Sequence, residues 1–93
     1  MRVLRLATAV SALALPAQAA CYADYKAKQD DPLRLHYGVV ALDTPACDSL
    51  DAAAAAIAGR LGDGWELLQV EGIFGEDGLD ERRDGAGEYF LRY

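Results

Sequence analysis

Histidine, serine and cysteine are almost missing from this 93-residue chain. There is one histidine, His36, and there are two cysteines, Cys21 and Cys47. Beyond the apolar N-terminal stretch the one serine is Ser49. Each scarcity excludes a chemistry. No Cys-x-x-Cys pair exists, and two cysteines with His36 fall one ligand short of a tetrahedral zinc site. No Ser-His-Asp or Cys-His arrangement can be assembled. Basic residues are also few, 9 against 15 acidic, for a net charge of −6. Such a surface is repelled by phosphate backbones and by anionic headgroups, which argues against nucleic-acid and membrane-surface binding. Long apolar runs are missing too. The longest, Leu6 to Leu15, is ten residues, half of the roughly twenty needed to span a bilayer.

That short run is nonetheless informative. Arg2 and Arg5 precede it, Pro16 ends it, and Ala17-Gln18-Ala19 places small residues where a signal peptidase cuts. Residues 1–20 read as a secretory signal cleaved near Ala19-Ala20, giving a periplasmic or secreted protein. Lipidation of Cys21 is the competing outcome, disfavoured because Gln18 stands where a lipobox has an aliphatic residue. Losing Arg2 and Arg5 takes the net charge from −6 to −8. The 73 or 74 residues that remain make one domain, small enough to need a staple. In an oxidising compartment Cys21 and Cys47 are expected to form that staple.

Along the mature chain, residues 21–33 are polar and mixed in charge and read as an N-terminal arm. The domain proper is expected over 34–93. Leu33 to Leu42 alternates and is β-branched, as a strand does. Asp48 is the expected N-cap of a helix over Ser49 to Leu61, with Leu50, Ala54, Ile57 and Leu61 on its buried face and Gly62 or Gly64 as its stop. Trp65 to Phe74 reads as a second strand. Residues 75–87 read as a charged, mobile connection, and Glu88 to Tyr93 as a third, aromatic strand. The expected fold class is α+β: a three-stranded mixed sheet in β-α-β-β order with one helix on one face. The first two strands should be parallel, with the third between them.

No residue set points to catalysis. His36 sits inside a strand without a nucleophile, and reads as a packed strand residue. Glu76, Asp77, Asp80, Glu81, Asp84 and Glu88 cluster, but without the alternate spacing of a calcium loop and with Arg82 and Arg83 in their midst. Gly59 to Gly64 follows a helix where a phosphate loop would open one. The expectation is a non-enzyme without cofactor or metal.

Gly64-Trp65-Glu66-Leu67-Leu68-Gln69-Val70 follows an amphipathic helix, with Tyr37–Leu42 upstream and Glu88–Tyr93 at the end. This pattern resembles the small bacterial domain-of-unknown-function 4177 family over about residues 35–93. The resemblance implies the strand–helix–strand–strand layout and brings no catalytic residues. The signal and the cysteine pair depart from that family. One helix cannot cover both faces of a sheet, so Tyr37, Trp65, Leu67 and Phe90 are the expected interaction surface, for an unknown protein partner or a second copy. The functional expectation is a non-catalytic periplasmic interaction module. The alternative is an inhibitor of a cationic enzyme such as a lysozyme, with loop 75–87 entering its cleft.

Overall fold

The computed structural model describes residues 19–93. The expected signal peptide, apart from its last two residues, lies outside them. No helix among the described residues is long and apolar enough to cross a membrane.

The chain is α+β, with a three-stranded sheet. Strand β1 (Cys21–Gln29) and strand β2 (Arg34–Leu42) form an antiparallel hairpin. Helix α1 (Leu50–Arg60) follows, then strand β3 (Glu66–Phe74), a short helix α2 (Asp80–Ala86), and a 3-10 turn at Gly87–Tyr89. The strand order is β2-β1-β3, and β1 pairs antiparallel with both neighbours. β2 and β3 therefore point the same way with one antiparallel strand between them.

This corrects the expected β-α-β-β order and mixed sheet. The central slot expected for Glu88–Tyr93 is filled by Cys21–Gln29, which read as an arm. The signal for that strand is in the sequence. Cys21, Ala23, Tyr25 and Ala27 are all buried and alternate with Tyr22, Asp24, Lys26 and Lys28, the period of a strand. A four-residue connection, Asp30-Asp31-Pro32-Leu33, closes the hairpin. Such local closure costs little chain entropy compared with threading the C-terminus into the same slot. Glu88–Tyr93 makes only an isolated bridge, Val39 to Phe90, along the outer edge of β2. Gly87 and Leu91 both have positive φ, 53° and 58°, so the backbone on either side of the bridge cannot stay extended.

Strand β3 is irregular. Its register against β1 slips twice, leaving Leu68 and Glu71 without partners. Each slip is a β-bulge that carries one extra residue and restores the same face one position later. Leu67, Val70 and Ile73 consequently all join the core, at a spacing of three.

The main core lies between the sheet and α1. Ala23, Tyr25, Ala27, Val40 and Leu42 meet Ala53 and Ile57 of the helix, with Trp65 closing one end. The N-cap of α1 is Ser49, whose Oγ accepts the Ala52 N–H at 3.0 Å, one residue later than the expected Asp48. The buried stripe turns with it: Ala53 and Ile57 are buried, whereas Leu50 is 51 % exposed. The helix ends when Leu61 becomes extended, and the positive φ of Gly64 (82°) serves the following turn into β3. Gly38 of β2 lies beneath the Tyr25 ring, which occupies the space any Cβ there would need. A glycine inside a strand permits this close approach.

Cys21 and Cys47 form a disulfide, joining the first residue of β1 to the 3-10 turn Thr44–Cys47 that leads into α1. A thioether-linked lipid on Cys21 is incompatible with this bond. The bridged positions are 26 apart in sequence, so the chain-entropy model assigns the bridge about 3.5 kcal/mol. The Cys21→Ser, Cys47→Ser double variant should lose about that amount in urea unfolding monitored by Trp65 fluorescence. A loss below about 1 kcal/mol would mean that the strand pairs hold β1 without help.

Candidate functional site

The two faces of the sheet carry different polar arrangements. On the α1 face, His36 is buried and boxed by aromatic rings. Tyr89 stacks on it at 3.7 Å between centroids and 7° between planes, and Trp65 meets it edge-on at 4.3 Å. Tyr93 lies 6.3 Å away, and the Tyr25 hydroxyl is 2.9 Å from Nε2. Leu91 N–H donates to the Val39 carbonyl at 2.8 Å, which holds the C-terminal segment beside β2 and its tyrosines over His36. Burial pushes the His36 pKa down, Arg92 adds to this and Glu88 opposes it. Burial also raises the Tyr25 hydroxyl far above its ordinary value. Burial thus favours the neutral form of this histidine within a packed aromatic cluster.

On the opposite face, Asp24 is buried and its Oδ2 accepts from the Tyr37 hydroxyl at 2.7 Å and from Arg82 Nε at 3.1 Å. The Arg82 guanidinium lies over the Phe74 ring at 3.9 Å, and Tyr22 stacks behind that ring. Burial and the Asp24 hydrogen bond push the Tyr37 hydroxyl up to about 12. Oδ1 of Asp24 is buried without a hydrogen-bond partner among the described residues. Asp24 is the anchor for α2: the helix lies on β2 through the buried Ala86, and Gly85 leaves room for the Tyr37 ring. Residues 75–87, expected as a mobile loop, are therefore a 3-10 turn and a helix tied to the sheet by Arg82. A helix of seven residues with a glycine has no sequence period long enough to be recognised.

The four residues expected as one interaction surface are divided between these faces. Trp65 and Leu67 belong to the α1 core, Trp65 with only 9 % of its surface exposed. Tyr37 and Phe90 lie on the other side, half-buried under α2 and Arg83. The structure does not bring the pairs together, because Trp65 and Leu67 face α1, whereas the Tyr37 ring lies against α2 and Phe90 is bridged to Val39.

A different surface is left open. α2 covers only the Asp24 end of its face. At the other end Leu35 is 67 % and Leu68 51 % exposed. They flank a shallow groove of about 270 Å³, lined also by Lys26, Ala27, His36 and Tyr37. Leu68 was missed because strict alternation placed it with Val70 and Phe74. The bulge frees it from both, and only pairing reveals a bulge. Among the described residues no group of three or more His, Cys, Asp or Glu side chains could hold a metal ion.

Comparison with known proteins adds nothing to this picture. No family model matches the chain, and it has no match among curated proteins or solved structures.

Two outcomes follow from the polar sites. His36 is held neutral by the fold, so the unfolded chain takes up its proton first, near the ordinary value of 6.5. Stability contributed by this group is complete above that pH and declines as pH falls below it, by at most about 1.4 kcal/mol per pH unit. Urea unfolding between pH 7.5 and 5.5 should show this decline, and His36→Gln should flatten it; equal slopes would refute the assignment. Arg82→Met should leave Asp24 buried and unpaired. The expected loss is about 2 kcal/mol, below the 3–5 typical of fully buried pairs because Arg82 keeps some solvent contact. Faster amide exchange across α2 than across α1 in that variant would show that the pair pins the helix.

Proposed function

We propose that this protein is a small exported, non-catalytic interaction module whose binding surface is the open end of the sheet face beside α2. The observation that carries this reading is the pair Leu35 and Leu68, both more than half exposed across a groove on a rigid sheet. The two leucines stand on the outer strands of one face and line a single groove, unlike leucines scattered singly. The sheet gives it a fixed shape, so a partner meets a surface that needs little ordering on contact.

Several features support export. The Cys21–Cys47 disulfide suits an oxidising compartment, and the signal-like residues 1–20 lead directly into β1. Ala20 N–H already donates to the Leu42 carbonyl, so a chain cut after Ala19 keeps the complete strand. The non-catalytic reading is supported by the packing of His36, whose ring is enclosed by aromatic neighbours. The resemblance at Gly64–Val70 brings no activity of its own, so the reading rests on the surface. The inhibitor alternative gains no support from residues 75–87, which are held against the sheet by Arg82 instead of being free to enter a cleft.

The test is site-specific photocrosslinking in cells that export the protein, with the photoreactive residue at position 35, at position 68, or at position 58 on the exposed side of α1. A discrete adduct is expected from 35 and 68, absent from 58, and lost when Leu68→Asp is combined with the probe at 35. The same adduct from all three positions, or none from 35 and 68, would overturn the reading.

A further inference from the structure

Resting on that reading, we infer that the groove recognises an apolar side chain with a carboxylate beside it, as found together at the carboxyl-terminal residue of a protein partner. Lys26 stands on the central strand between the two leucine-bearing strands, exposed, and lines the groove. It has no ion-pair partner among the described residues, whereas the next cation on the same face, Lys28, is engaged by Asp30 at 3.3 Å and Glu66 at 3.9 Å. The Tyr37 hydroxyl is turned away to Asp24. The groove therefore offers one ammonium group, two isobutyl groups and an aromatic ring, and no carboxylate side chain lines it.

This composition separates the possible occupants. A second copy packed face to face about a two-fold axis centred on the patch would set Lys26 against its own copy, because the central strand faces the central strand. Like charges so placed disfavour that pairing. A cationic side chain is repelled for the same reason. A long-chain amphiphile needs more room: a cavity of about 270 Å³ is smaller than the roughly 300–1,000 Å³ of pockets that enclose drug-sized ligands. One large apolar residue fits, with its α-carboxylate on Lys26 Nζ. The acidic remainder of the molecule opposes an anion at long range, so selectivity comes from the contact with Lys26.

The test uses the disulfide-intact mature protein, isotope-labelled, titrated with three probes and followed by backbone amide shifts. The probes are acetyl-Gly-Ala-Gly-Leu as the free acid, the same peptide as its amide, and dodecanoate. The free acid should move the amides of Lys26, Leu35 and Leu68 and bind at least fivefold more tightly than the amide. Lys26→Met, an exposed substitution, should abolish that preference, and Leu68→Ser should weaken both peptides. Equal binding of acid and amide to the unaltered protein would overturn the proposal. So would shifts centred elsewhere, binding of dodecanoate without binding of the peptide, or shifts at the same amides produced by protein concentration alone. Crosslinks from positions 35 and 68 that survive Lys26→Met and excess free-acid peptide would leave the interaction surface standing and remove the terminal-carboxylate mode. Absence of those crosslinks would remove the interaction surface itself.

Discussion

The pairing of β1 with both of its neighbours is the constraint on which the rest of the structure depends. β1 is the first element among the described residues and the middle strand of the sheet. Its alternate residues supply Ala23, Tyr25 and Ala27 to one core and Asp24 to the other face. Tyr25 can lie flat only because Gly38 is opposite it. Its hydroxyl then fixes His36, against which the C-terminal tyrosines stack. Asp24 in turn holds Arg82 and with it α2. The disulfide secures the outer end of the same strand.

A strand on which both neighbours depend needs firm anchorage at its ends. Two devices answer that. The hairpin with β2 is local and closes through four residues. The bridge to Cys47 ties β1 to the entry of α1, so that strand and helix are held at one end together. The edges are managed as well. The outer edge of β2 is partly covered by the bridge from Val39 to Phe90. β3, the other edge, carries two bulges, a common means of discouraging edge-to-edge pairing. These features discourage pairing at the strand edges and leave Leu35 and Leu68 exposed on the open face.

Much of the fold was legible in the chain. β2, α1 and β3 lie within two residues of where periodicity placed them, because their patterns are long and locally consistent. The cysteine pair was legible from count and compartment. β1 was legible in principle: Cys21, Ala23, Tyr25 and Ala27 alternate, but two of them are alanines, Tyr22 interrupts the pattern, and Asp24, Lys26 and Lys28 are charged, so composition masked period. The Glu88–Tyr93 segment misled in the opposite sense. Its aromatic residues have strand character, yet Tyr89 and Tyr93 serve to cover His36, a role that propensity cannot distinguish from pairing. The expected interaction surface failed for a related reason. Trp65 and Leu67 do share a face, but it is the face that α1 covers, and which face a helix covers is decided by packing between distant segments.

The sequence by itself determined the fold class, the helix, two strands, the disulfide and the acidic surface. These depend on local period, capping chemistry and composition, which neighbouring residues carry among themselves. Tertiary structure alone decided which segment occupies the centre of the sheet, which face each residue of β3 presents, and that α2 is a packed helix instead of a loop. It also decided that Leu68 and Lys26 share a groove with Leu35. Each of these turns on pairing between residues distant in the chain: a register slip, the Asp24–Arg82 pair 58 positions apart, and the ring of Tyr25 over Gly38. A one-residue change in register moves a side chain to the opposite face, and only the partner strand fixes the register.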